Sequence, residues 1–117
     1  MRQGNIIKEK SYSFAIRIVK LYKFLSEEKK EYTLSKQILK SGTSIGALIR
    51  ESEHGESKLD FIHKLTISLK EANETEYWLN ILKDTGYIDD RMFKSINKDC
   101  IEIIKLLTSI IKTSKSR

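Results

Sequence analysis

The chain contains no proline, one cysteine, five glycines and one tryptophan in 117 residues. Without proline, nothing forces a break inside a helical segment. The single cysteine, Cys100, excludes a disulfide framework and any cysteine-rich zinc site. Hydrophobic residues make up 39% and charged residues 32%, which excludes collagen-like, low-complexity and disordered chains. No run approaches the ~18 apolar residues of a membrane-spanning helix. The opening MRQGNIIKEKSYS lacks the apolar core of a signal peptide. One soluble, cytoplasmic domain without membrane attachment is therefore expected.

Four amphipathic segments are present, and the fold class they predict is all-α. The first runs from about Ile6 to Lys29, with Phe14, Ile18, Leu21, Tyr22 and Leu25 three and four apart on one face. The second follows Thr33, a candidate N-cap, over about Leu34 to Glu53 with Leu34, Ile38, Ile45, Leu48 and Ile49 inward. His54-Gly55 breaks it. Ser57-Lys58-Leu59-Asp60 opens the third, about Lys58 to Asp84, close to a capping-box pattern. Asp89-Asp90 caps the fourth, about Asp90 to Lys112, which carries Phe93, Ile96, Cys100, Ile103, Leu107 and Ile110. Long helices joined by short loops predict an up-down-up-down antiparallel four-helix bundle over residues 1–117. Gly42 and Gly46, beside Ser41, Ser44 and Ala47, predict a close helix–helix approach rather than a phosphate loop, because no strand precedes them.

Two helices are more apolar than one bundle core needs. At ~100° per residue the apolar arc of the fourth helix is about 220°, twice the stripe of a surface helix. On the third, Ile67, Trp78 and Ile81 fall opposite Leu65 and Leu69. A second apolar face predicts subunit contacts, so a homo-oligomer is expected, with Ile67, Trp78, Ile81, Ile101 and Ile104 at its interface.

Charge is uneven. The formal net charge is +6, and residues 1–30 hold eight basic against three acidic residues. Lys10, Arg17 and Lys20 occupy neighbouring angles on the first helix, and Lys112, Lys115 and Arg117 form a basic tail. Such surfaces neutralise phosphates and release counterions, which makes RNA or DNA the expected partner class.

No catalytic constellation stands out. Asp60-x-x-His63 is half of a di-iron bundle motif, but a second acid-x-x-His is missing, so no metal or other cofactor is expected. Arg50-x-x-x-His54 is one residue short of the Arg/His spacing of helical ribonucleases of the HEPN class. Glu76 falls at about +20° from Leu65, inside the stripe of Ile62, Leu69, Ala72 and Leu79. It is therefore expected as a buried structural acid, with Ser41, Ser52 or a tyrosine hydroxyl as partner.

Two stretches carry a family resemblance. One is Ser41-Gly42-Thr43-Ser44-Ile45-Gly46-Ala47 with Ser57-Lys58-Leu59-Asp60-Phe61-Ile62-His63-Lys64-Leu65. The other is Leu69-Lys70-Glu71-Ala72-Asn73-Glu74-Thr75-Glu76-Tyr77-Trp78-Leu79, ending in Gly86-Tyr87-Ile88. Together they resemble the bacterial four-helix-bundle family that includes proteins encoded in intervening sequences of 23S ribosomal RNA genes. The accessory protein of diversity-generating retroelements is a relative. That resemblance implies an up-down bundle, a ring-shaped homopentamer and no catalytic activity. For the retroelement relatives it implies a basic surface that engages RNA and a reverse transcriptase.

The expected function is thus a non-enzymatic, oligomeric nucleic-acid-binding or ribonucleoprotein accessory protein. A protein-interaction scaffold without a nucleic-acid role is the alternative. A small helical ribonuclease using Arg50 and His54 is a third reading.

Overall fold

Four helices form, and what ends each one is visible locally. The structure, a computed structural model, describes residues 2–117, with side chains from Gly4 onward. The helices are α1 (Arg2–Glu27), α2 (Leu34–Ser52), α3 (Lys58–Asp84) and α4 (Asp90–Lys115). Ser57 caps α3 by accepting from the Asp60 amide at 3.0 Å, and Asp89 caps α4 by accepting from Met92 at 2.8 Å. The fourth helix continues three residues past the expected Lys112, where Lys112 and Lys115 suit the negative end of its dipole.

The α1–α2 corner differs from the sequence expectation. Thr33 makes no side-chain capping bond. Lys30, in the left-handed region with φ 55°, turns the chain so that the Glu31 amide donates back to the Leu25 carbonyl at 2.9 Å. This places the Glu31 carboxylate under the start of α2, where it accepts from the amides of Ser35 (2.7 Å), Leu34 (2.9 Å) and Thr33 (3.2 Å). The cap is therefore Glu31, reaching from outside the helix to orphan amides and the positive dipole end. Burial by itself raises its pKa, but the backbone donors outweigh burial and hold the carboxyl below its ordinary value of 4.5. A depressed folded pKa contributes stability above the unfolded pKa and loses it as pH falls through the folded one. Glu31→Ala is expected to cost about 1–2 kcal/mol at neutral pH, in line with lost caps. In urea unfolding the difference between variant and wild type should shrink as pH drops below ~4.3. A difference that does not vary with pH would contradict the carboxylate cap.

Every helix runs antiparallel to the two it touches, and α1–α3 and α2–α4 make no close approach among the described residues. On the α1–α2 seam, Ile18 faces Gly42 and Ser11 faces Gly46. On α2–α3, Ser68 donates to the Ile45 carbonyl at 2.9 Å, and Thr75 Oγ1 lies 3.0 Å from Ser41 Oγ. On α3–α4, the Cys100 thiol donates to the Ala72 carbonyl at 3.3 Å. Burial, with the Glu76 and Asp99 carboxylates adding to it, pushes that thiol up to about 12. Cys100 is thus an inert core residue rather than a nucleophile.

Glu76 does not occupy the core. It is only half-buried, and Thr75 takes the inward place. The buried residues of α3 are Leu65, Ser68, Ala72, Thr75, Leu79 and Leu82, an alternation of three and four. That is a 3.5-residue seam, as in packed antiparallel bundles, and two of its positions carry hydroxyls. Counting only apolar side chains at 3.6 residues per turn skips those two and rotates the apparent core onto Glu76.

Candidate nucleic-acid interface

The expected cationic strip on α1 exists, but two of its three members are engaged. The Lys10 ammonium lies 3.1 Å from Glu102 on α4. Arg17 forks onto α4, reaching Asp99 Oδ2 at 2.7 Å, the Ser95 carbonyl at 3.1 Å and Ser95 Oγ at 2.8 Å. Exposed pairs of this kind contribute ~0–1 kcal/mol each. Their larger effect is on the charge balance of α4, because they neutralise two of its acids. Lys20 is exposed, and the Arg17–Ser95 contact puts it beside the first turns of α4.

A row of unpaired cations lies on α4 itself. Arg91, Lys94, Lys98, Lys105 and Lys112 are all exposed, and none pairs with a carboxylate among the described residues. At ~100° per residue they fall within about 60° of arc, opposite the inward Ile96, Cys100, Ile103, Leu107 and Ile110. From Arg91 to Lys112 the stripe is about 32 Å long at ~1.5 Å per residue. Glu102 flanks it and is the acid tied to Lys10. The predicted tail residues Lys112, Lys115 and Arg117 are exposed at the end of this same helix, where Lys58 Nζ donates to the Arg117 carbonyl. Segment-by-segment charge counts missed the stripe. The spacing of its cations, three, four, seven and seven residues, is the signal that reveals it.

The five expected interface residues are not on open display. Ile67, Trp78, Ile81, Ile101 and Ile104 are half-buried, and Trp78 and Ile104 pack against the core. Trp78 Nε1 is closed off without an acceptor, while Tyr77 meets its ring edge-on at 5.1 Å. The large exposed apolar side chains include Tyr12, Ile16 and Val19 on the outside of α1 and Leu59 and Tyr77 on α3.

The other candidates separate. Arg50 lines the α1–α2 groove with Tyr12 and Lys8, whereas His54 lines a different depression among Glu51, Glu56 and Asp60. Phosphate is poorly received among three carboxylates, and the two residues share no concavity. Among the described residues no three His, Cys, Asp or Glu side chains come together to hold a metal ion. No described helix is long and apolar enough to cross a membrane.

The family model described as 23S rRNA-intervening sequence protein matches residues 3–109. The chain belongs to that family. It is also 62% identical to a solved protein from Bacteroides thetaiotaomicron VPI-5482, described as of unknown function and from the S23 ribosomal protein family. The alignment covers 94% of this chain and 98% of that one, with a TM-score of 0.93. No curated protein matches the chain. The family match thus covers all four helices up to Ser109, including the stripe from Arg91 to Lys105.

Proposed function

We propose that this protein is a non-enzymatic RNA-binding or ribonucleoprotein accessory protein that holds nucleic acid along the outer face of α4. The observation that carries the reading is the unpaired stripe of Arg91, Lys94, Lys98, Lys105 and Lys112. A straight row of cations on a rigid helix tracks a phosphate backbone without reading bases, so binding is sequence-tolerant and driven by counterion release. Membership of a family whose name refers to 23S rRNA supports RNA over DNA. Fluorescence anisotropy with a labelled RNA across a salt series tests it. Affinity should fall log-linearly with salt, with a slope of about −0.7 per phosphate on single strands or about −0.9 on B-form DNA. A scaffold without a nucleic-acid role would show no binding even at low salt.

Self-association is the second part of the proposal, with five copies and a ring implied by the resemblance alone. Ile16 and Val19 on the outside of α1, 42% and 37% exposed, favour it. Light scattering at tens of micromolar should give a mass above the 13.6 kDa of one chain, reduced by Ile16→Lys. A wild-type monomer would contradict this part. Repeating the stripe around an oligomer would add weak contacts through multivalency.

A further inference from the structure

The groove between α1 and α2 has chemistry that the α4 stripe does not use. Two adjoining concavities of about 270 and 390 Å³ share Lys8, Tyr12 and Arg50. Their floor is made of small residues, and the helices close up there: a Cβ on Gly46 would stand 3.3 Å from Ser11 Oγ. Tyr12 is 61% exposed, an aromatic face at the edge of the groove. Lys8 is drawn to Glu53 at 3.3 Å, while Arg50 has no carboxylate partner among the described residues. Asn5 and Glu9 stand on the outer wall.

We propose that this groove binds single-stranded RNA, stacking one base on the Tyr12 ring and holding an adjacent phosphate on the Arg50 guanidinium. The inference rests on the nucleic-acid reading above and assigns it a second, chemically different contact. An exposed ring takes the face of any unstacked base, and a fork of N–H donors suits a phosphate. Asn5 and Glu9 offer acceptors to the exocyclic amine of an adenine at the same place. Duplex RNA does not fit, because its bases are stacked on one another and only one unpaired cation is present to hold a backbone. The groove is also separate from the stripe, since α4 touches α1 and α3 but not α2.

The test compares a labelled oligoadenylate of about eight nucleotides with an RNA duplex, using wild type, Tyr12→Ala, Tyr12→Phe and Arg50→Gln. Tyr12→Ala should weaken oligoadenylate binding by roughly 5- to 150-fold while moving duplex affinity by no more than about twofold. Tyr12→Phe should retain oligoadenylate binding, because the stacking face survives. Arg50→Gln should weaken it and flatten its salt slope by about 0.7. Oligoadenylate affinity unchanged in Tyr12→Ala would overturn the site, and so would a fall in oligomer mass, which would make Tyr12 a subunit contact. If wild type binds both RNAs and only the α4 lysines matter, this site fails and the broader reading stands. If wild type binds neither at low salt, both fail.

Discussion

Replacing Lys98, Lys105 and Lys112 together with glutamine is expected to lower RNA affinity about 100-fold at ~0.1 M salt. The same change should flatten the log–log salt slope by about 2, that is ~0.7 for each of three phosphate contacts. These residues are exposed and outward on α4, and glutamine has nearly the helix propensity of lysine, so folding should be unaffected. The control is the triple change of Lys36, Lys40 and Lys70 to glutamine on α2 and α3, which removes equal charge from other exposed positions. If both variants lose affinity equally, net charge rather than the α4 stripe governs binding. Arg17 and Lys10 belong to the same account indirectly. Removing them would release the Asp99 and Glu102 carboxylates beside the stripe rather than delete phosphate contacts.

Gly42→Ala should destabilise the fold, although alanine normally improves a helix. The intrinsic gain for Gly to Ala in a helix interior is about 1 kcal/mol. Against it, a Cβ at position 42 would stand 2.7 Å from Ile18 Cγ1 and 2.8 Å from Cγ2. Ile18 is fully buried and β-branched, so its branch atoms cannot swing aside as the end of a long chain would. Overpacking of this kind costs typically 1–3 kcal/mol, and contacts this short on a locked branch belong at the upper end, so a net loss of up to about 2 kcal/mol is expected after the propensity gain. Thermal unfolding should show a midpoint lowered by several degrees, at roughly 4 °C per kcal/mol. At Gly46 the nearest atoms are 3.3–3.4 Å away, so Gly46→Ala should be close to neutral. Combining Gly42→Ala with Ile18→Ala should cost less than the two separately, because the second removes the atoms the first meets. A Gly42→Ala protein more stable than wild type would contradict the close approach of α1 and α2.

The helices were legible because their ends are local. Gly86 with φ 83°, the Ser57 and Asp89 caps, and Gly55 mark boundaries that residues within four positions create. The close approach at Gly42 was legible too, since small residues within a helix have few other uses. Three features were not, each for a physical reason. The Glu31 cap depends on Lys30 adopting a left-handed turn, which lysine rarely does and which no propensity anticipates. Thr75 replaced Glu76 in the core because threonine satisfies its own hydroxyl, 2.8 Å from the Glu71 carbonyl, and so enters the seam at little polar cost. Lys10 and Arg17 looked free because their partners, Glu102 and Asp99, lie more than 80 residues away in sequence. Charge of one segment says nothing of what another segment will lay against it. The α4 stripe, by contrast, was fully present in the spacing of its cations.

Lysine-reactivity footprinting by mass spectrometry, with and without bound RNA at low salt, tests the central claim most directly. An acylating reagent modifies exposed amines, and a phosphate contact shields them. The α4 interface predicts that RNA protects Lys94, Lys98, Lys105 and Lys112 together, while Lys36, Lys40 and Lys70 on the other helices remain reactive. Protection confined to α2 or α3, with the α4 lysines as reactive as in the free protein, would contradict it.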